Sequence, residues 1–202
     1  IGFYLGKLFL KPMRLEIERF NDFIAQSAHE LNTPVASLLL IADMFKNEQN
    51  SQNVARLKVI ARSIAGIYED LSYFATRGMI KNSDEMLDIA EIANQRVAIF
   101  EESAKFKNIE ISQVLEEFYT LIDRTRAARL IDNLLSNAIK YTPNGGKILI
   151  SVQKTKLTVE DSGSGISDDF AKIAFDKYSR NSSAVSGLGL GLAIVKSICD
   201  DY

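Results

Sequence analysis

The chain has very little of what staples, ligates or spans. A single cysteine in 202 residues, Cys199, rules out an internal disulfide and a cysteine metal cluster, and suits a reducing compartment. A single histidine, His29, leaves one imidazole for any acid, base or nucleophile role, and no zinc-ligand spacing is present. Charge of either sign is not in excess: 24 basic residues stand against 26 acidic ones, so the global positive field of a nucleic-acid binder is missing and no nucleic-acid partner is expected. No apolar run reaches the roughly 20 residues that cross a bilayer. Internal repeats and low-complexity tracts are also missing. What remains is a chain with 47% hydrophobic residues, enough to bury a core.

The only histidine lies in S-A-H-E-L-N-T-P, Ser27 to Pro34, beside Glu30 and one turn before Thr33. Phe20, Ile24, Ala28, Leu31, Val35 and Leu38 recur at three- and four-residue spacing, which predicts an amphipathic helix from Met13 to about Phe45. Pro34 removes one backbone donor inside it and should bend it just after His29. Asn47 to Asn53 is polar. A second helical run follows through Val54, Leu57, Ile60 or Ala61, Ile64, Ile67, Leu71 and Phe74, and Gly78 stops it. Two such helices joined by a short turn cannot bury both apolar faces alone. Either two hairpins form an antiparallel four-helix bundle, a two-fold homodimer, or one hairpin packs on the remainder of its own chain.

After a linker at Lys81 to Asp84 the pattern changes. Met86 to Ile89 reads as a short strand, Ala90 to Ala104 as a helix and Ile109 to Leu115 as a half-buried strand. Asp123 caps a long helix ending near Tyr141. Pro143, Asn144, Gly145 and Gly146 make a turn, and Lys147 to Val152 and Leu157 to Glu160 read as antiparallel neighbours. Glycines gather at 163 and 165 and again at 187, 189 and 191, before a last helix. The expected class is α+β: an N-terminal helical hairpin at residues 13–80, then, from residue 84 to 202, an α/β sandwich with a mixed sheet and helices on one face.

Three motifs in the second half carry chemistry. Asn133, Asn137 and Tyr141 stand four residues apart with Lys140 beside them, a polar stripe on one side of a helix. Two carboxamide oxygens one turn apart can ligate Mg²⁺, which prefers few protein oxygens plus phosphate oxygens, and Lys140 can reach a phosphate. D-S-G-S-G-I, Asp161 to Ile166, follows a strand. Its glycines, Gly163 and Gly165, admit a flat ring, and its carboxylate can accept a hydrogen bond from an exocyclic amine, a combination that suits adenine, although an ordinary Asx turn has the same pattern. G-L-G-L-G-L, Gly187, Leu188, Gly189, Leu190, Gly191 and Leu192, opens the final helix with unpaired amides, a seat for phosphate oxygens. It matches neither the dinucleotide fingerprint nor a Walker motif.

H-E-L-N-T-P resembles the H-box of sensor histidine kinases, and N-L-L-S-N-A-I-K-Y-T-P resembles the N-box of their ATP-binding domain. Asp161 to Ile166 and Gly187 to Leu192 are similar to the two glycine boxes, Phe175 to Arg180 to the F-box, and Asn181 to Ser186 to the lid over ATP. The motifs stand in the family's order. The resemblance implies a protein-histidine kinase in which His29 takes the γ-phosphoryl group of ATP, Glu30 orients the imidazole, and Thr33 assists phosphatase activity toward the regulator. It implies ATP and Mg²⁺ as cofactors, with Asn133 and Asn137 as metal ligands, Asp161 reading adenine and Arg180 at the γ-phosphate. A response-regulator receiver domain and a second copy of the chain are the partners it implies.

The resemblance also favours reading Ile1 to Leu10, with Lys7, Lys11 and Arg14, as the inner end of a transmembrane helix rather than a surface segment. Residues 1–12 are then juxtamembrane, and the remainder is a soluble piece at the cytoplasmic face of a bacterial plasma membrane. The chain opens with Ile, which suits a fragment of something longer. Asn32 and Ser179 depart from the family pattern, and the final strands usual after the last helix are missing, so the ATP domain is expected to be truncated at that edge. Two rivals stay open: an ATPase of the gyrase and chaperone type used as a conformational clamp, and a degenerate kinase serving as a dimeric scaffold.

Overall fold

A computed structural model describes residues 37, 38, 41, 57, 60, 61, 64–70, 73, 83–180 and 188–202. The chain divides into two compact units, Ile1–Ile67 and Tyr68–Tyr202. In the first unit every described residue is helical, and Ile41 is buried. The helical reading therefore holds where the first unit is described, while the Pro34 bend, the hairpin turn and residues 1–12 lie outside the described residues.

The second unit is built from β1 (Asp84–Asp88), α1 (Ile89–Phe106), β2 (Glu110–Leu115), β3 (Tyr119–Asp123), α2 (Arg124–Tyr141), β4 (Lys147–Gln153), β5 (Lys156–Asp161), the single turn α3 (Asp168–Ala171) and α4 (Gly191–Asp201). Five of these match the expected segments closely. β3 was not expected, and with it the strands divide into two sheets rather than one: β1 pairs antiparallel with β3, and a mixed sheet runs β2-β4-β5, with β4 parallel to β2 and antiparallel to β5. The fold is the mixed α/β layer arrangement the pattern predicts.

Local chemistry sets the boundaries. Asp88 ends β1 and caps α1, its Oδ1 accepting from the Ala90 and Phe118 amides, each at 3.0 Å, so one carboxylate starts the helix and ties it to the approach to β3. Asp123 caps α2 as expected, accepting from the Thr125 and Arg126 amides at 2.9 and 3.1 Å. β4 is the centre of the mixed sheet. Ile148, Ile150 and Val152 are buried on one side of it, while Leu149 and Ser151 alternate with them half-buried.

The core lies between that sheet and the helices. Ile131 and Leu135 on α2, Ile148 and Ile150 on β4, and Ile194 and Ile198 on α4 are each at most 1% exposed. Burial of side chains this size contributes about 1.5–3 kcal/mol apiece. Arg96 on α1 forks onto Asp132 on α2, its Nε 2.6 Å from Oδ1, and fixes the rotation of α2. That rotation turns Leu135 inward and leaves Asn133 and Asn137 half-buried along another side of the helix. Leu135→Ala should cost about 2–5 kcal/mol of unfolding free energy. Urea denaturation checks it, with a lower midpoint and an unchanged slope expected.

Candidate functional site

α2 supplies the polar stripe the sequence predicts. Asn133 Nδ2 donates to the Arg129 carbonyl at 3.0 Å, which fixes the amide's orientation. Its Oδ1 is then the atom turned to Gly191, where a methyl group would stand only 2.7 Å from it and 3.5 Å from Asn137 Nδ2. Gly191 therefore admits α4 against both asparagines at once. Among the described residues the N-terminus of α4 has no side-chain cap and its first turn carries no acidic residue, and its positive dipole end lies beside two carboxamides.

The last turn of α2 meets the first glycine motif. A methyl group at Gly163 would lie 2.7 Å from the Tyr141 carbonyl oxygen and 2.6 Å from Asp161 Oδ1, so only glycine fits between helix end and carboxylate. The Gly163 amide donates to Asp161 Oδ1 at 2.8 Å. Asp161 is exposed at the end of β5, and its carboxylate keeps acceptor capacity beyond that one bond. The Asx turn and the adenine-reading carboxylate, rivals in the sequence, are compatible in one residue. Gly165 has φ +71 and open space around it. The Lys140 ammonium lies 5.3 Å from the Tyr141 ring centroid.

Gly189 is the third close approach. It has φ +67, and a methyl group there would lie 2.7 Å from the Ser179 carbonyl oxygen, while the Tyr178 amide donates to the Gly189 carbonyl at 2.9 Å. Arg180, the next residue after Ser179, is half-buried at this junction. The side chains of Leu188 and Leu190 are buried, so what these residues offer a phosphate is their backbone. The structure thus joins Asn133 and Asn137 to Gly191, Asp161 to Gly163 and Tyr141, and the segment before Arg180 to Gly189. His29, Glu30, Thr33, Gly187 and Asn181 to Ser186 lie outside the described residues.

The donor set fits a partly protein-bound cation. Among the described residues no group of three His, Cys, Asp or Glu side chains forms a metal cage. Two carboxamides beside a helix N-terminus are what Mg²⁺ with a phosphate would use, and Asn133 spends its Nδ2 on the Arg129 carbonyl, which leaves its oxygen as the donor turned toward α4.

Comparison with known proteins decides the family. Residues 21–79 match the His Kinase A (phospho-acceptor) domain, and residues 122–202 match the Histidine kinase-, DNA gyrase B-, and HSP90-like ATPase domain. The chain belongs to the two-component sensor histidine kinases. The sensor-like histidine kinase SenX3 of Mycolicibacterium smegmatis is 31% identical over 94% of this chain and 53% of its own length. The sensor histidine kinase CusS of Escherichia coli O6:H1 is 29% identical over 89% of this chain and 41% of its own. The chain thus spans about half, or less, of these relatives. Full-length ShkA, solved in complex with AMPPNP, superposes with a TM-score of 0.57 and 25% identity, covering 89% of this chain and 40% of that one.

Two features of this kinase domain escaped the sequence reading. The Lys107 ammonium caps the end of α2, donating to the Ile139 carbonyl at 2.7 Å. A second cluster joins the helical residues just before the linker to α2 and α4. The Arg129 guanidinium lies 5.1 Å from the Tyr73 ring centroid and 3.7 Å from Glu69 Oε2, and the Tyr73 hydroxyl is 2.9 Å from Ser197 Oγ. All of these partners are far apart in sequence. No local pattern marks them.

Asp70 belongs to that second cluster. Burial raises its pKa from 3.8 to about 6, the Arg129 guanidinium opposes the rise, and Glu69 adds to it. The folded-state pKa lies above the unfolded one, so the folded state holds the proton more tightly between pH 3.8 and about 6. Stability from this residue is therefore lost as pH rises through that window. Asp70→Asn should stabilise the protein by about 1–3 kcal/mol at pH 7 and by little at pH 4. Urea unfolding at the two pH values checks the sign.

Proposed function

We propose that this chain is the ATP-dependent core of a sensor kinase that phosphorylates itself on His29 and passes the phosphoryl group to an aspartate on the receiver domain of a response regulator. One observation carries the nucleotide half of this reading: at Gly191 the N-terminus of α4 comes up against the carboxamides of Asn133 and Asn137, so amides for a phosphate and two carboxamides able to ligate a cation stand side by side. The AMPPNP complex of ShkA supports an adenine nucleotide as the ligand.

In this reading Asn133 and Asn137 hold Mg²⁺, which when bound would neutralise phosphate charge. Asp161 accepts from the adenine amino group, Gly163 and Gly165 admit the ring, and Lys140 and Arg180 meet the phosphates. The backbone of Gly187 to Gly191 donates to phosphate oxygens. A His29 ring nitrogen bonds to the γ-phosphorus as the bond to the β–γ bridging oxygen breaks, leaving ADP. Positioning and charge neutralisation supply most of the rate. Glu30 accepts the other ring proton and holds the nucleophilic tautomer. The P–N bond then breaks as a carboxylate oxygen of the regulator attacks. Thr33, one turn on, orients a water that later removes the group from the regulator.

The match of residues 21–79 to a phospho-acceptor domain supports the role of His29 and assembly as a homodimer through a four-helix bundle. Among the described residues no helix is long and apolar enough to cross a membrane. A preceding transmembrane helix that places this part at the cytoplasmic face of a bacterial plasma membrane belongs to the proposal, on the strength of Lys7, Lys11 and Arg14 beside the apolar start.

Incubation with γ-labelled ATP tests the reading. The expected label is acid-labile and base-stable, as a phosphoramidate is, and missing from His29→Ala. Acid-stable label, or label that persists in His29→Ala, rejects the assignment.

A further inference from the structure

Lys107 spends its whole donor capacity on one helix end. Its ammonium donates to the carbonyls of Ile139 at 2.7 Å, Lys140 at 3.2 Å and Thr142 at 2.8 Å, which accounts for all three of its N–H groups. These carbonyls close α2, where helix geometry leaves acceptors without helical partners and the dipole is negative. The carbonyl left out of the tripod is that of Tyr141, and it is the one that abuts Gly163 and, through the Gly163 amide, Asp161.

The contacts close into a ring. The Lys107 carbonyl accepts from the Gly145 amide at 3.0 Å, which ties down the turn after α2. Beyond that turn, the Lys147 amide donates to Ser162 Oγ at 2.8 Å, and the Ser162 amide returns a bond to the Lys147 carbonyl at 3.0 Å. Ser162 stands between Asp161 and Gly163. From Lys107 one path runs along α2's last carbonyls to Gly163, and another runs through the turn and β4 to Ser162. The first reaches the Asp161 carboxylate through the Gly163 amide, and the second fixes the residue next to it.

We propose that Lys107 is a positioning residue for the nucleotide site: its tripod on the end of α2, together with its carbonyl on the following turn, sets where Asp161 stands relative to the asparagine stripe. The inference rests on the reading of Asp161 as the adenine acceptor. Lys107 touches no nucleotide. It acts on the base end of the site, so its loss weakens every adenine nucleotide alike, whatever the number of phosphates, and leaves the phosphate end and the chemistry intact.

The test is calorimetric titration of the full chain with Mg·ADP and Mg·ATP, comparing Lys107→Met with the parent. ADP and ATP are expected to weaken by the same factor, about tenfold, with autophosphorylation at saturating ATP within about twofold of the parent. A cap that serves only stability would lower the active fraction and leave both dissociation constants unchanged, and that result overturns the proposal. So does a loss confined to ATP. Lys107→Cys on a Cys199→Ser background, alkylated to the aminoethyl thioether, restores the ammonium at nearly the same reach and is expected to recover parental affinity for both nucleotides; no recovery overturns the proposal as well. If Lys107→Met does not fold, Lys107→Arg, which keeps the charge but not the tripod, is expected to show the same parallel weakening, and unchanged constants there count equally against it. A parent chain that binds neither nucleotide rejects the kinase reading itself, and the positioning role with it.

Discussion

The proposed nucleotide site depends on one close approach, that of α4 to the asparagine stripe of α2. A methyl group at Gly191 would stand 2.7 Å from Asn133 Oδ1, so the bare backbone there is what lets the asparagine keep its orientation against the start of α4. The two helices pack on each other, and Ile131 and Leu135 on α2 and Ile194 and Ile198 on α4 are all buried. Apolar packing supplies the stability, and the glycine turns it into a polar seam at the helix ends. Gly163 and Gly189 repeat the close approach, each standing where a methyl group would fall within 3 Å of backbone.

A second constraint runs through the same helices. Arg129 is one turn before Asn133 and accepts its amide, while its guanidinium lies against Tyr73 and near Glu69. Tyr73 reaches Ser197, two turns along α4 from Gly191. The helical residues that lead into the linker are thus in contact with both α2 and α4. Tyr202 works similarly at the far end of α4, its hydroxyl donating to Asp84 at 2.5 Å and accepting from the Asp123 amide at 3.2 Å, so the start of β1 and the cap of α2 are tied to the last residue of the chain.

The parts that were legible in the sequence are those whose signal is local. Asn133, Asn137 and Tyr141 repeat at helical spacing, the glycines cluster, and Asp123 stands just ahead of an amphipathic run, so helix, cap and motifs could all be placed. The strand Tyr119–Asp123 could not, because its apolar residues point the wrong way: Tyr119 and Leu121 are exposed while Thr120 and Ile122 turn inward. A strand whose outward side is as apolar as its inward side gives no alternation to detect. Lys107 and Arg129 read locally as solvated charges on helices. What they do depends on carbonyls and rings brought close only by the fold. The side chains of Leu188 and Leu190 in the second glycine motif are buried, which the motif alone does not reveal.

The central claim, that ATP is held where α4 abuts the asparagines, is tested most directly by calorimetric titration of Gly191→Ala with Mg·ATP. The added methyl group falls 2.7 Å from Asn133 Oδ1. A contact that short must push the helices apart or turn the asparagine, and misplacing a binding group by about 1 Å can cost on the order of a hundredfold. The account predicts a folded protein, with helical content and thermal transition close to the parent's, that binds Mg·ATP at least about thirtyfold more weakly. A folded Gly191→Ala protein with parental affinity for Mg·ATP would contradict it.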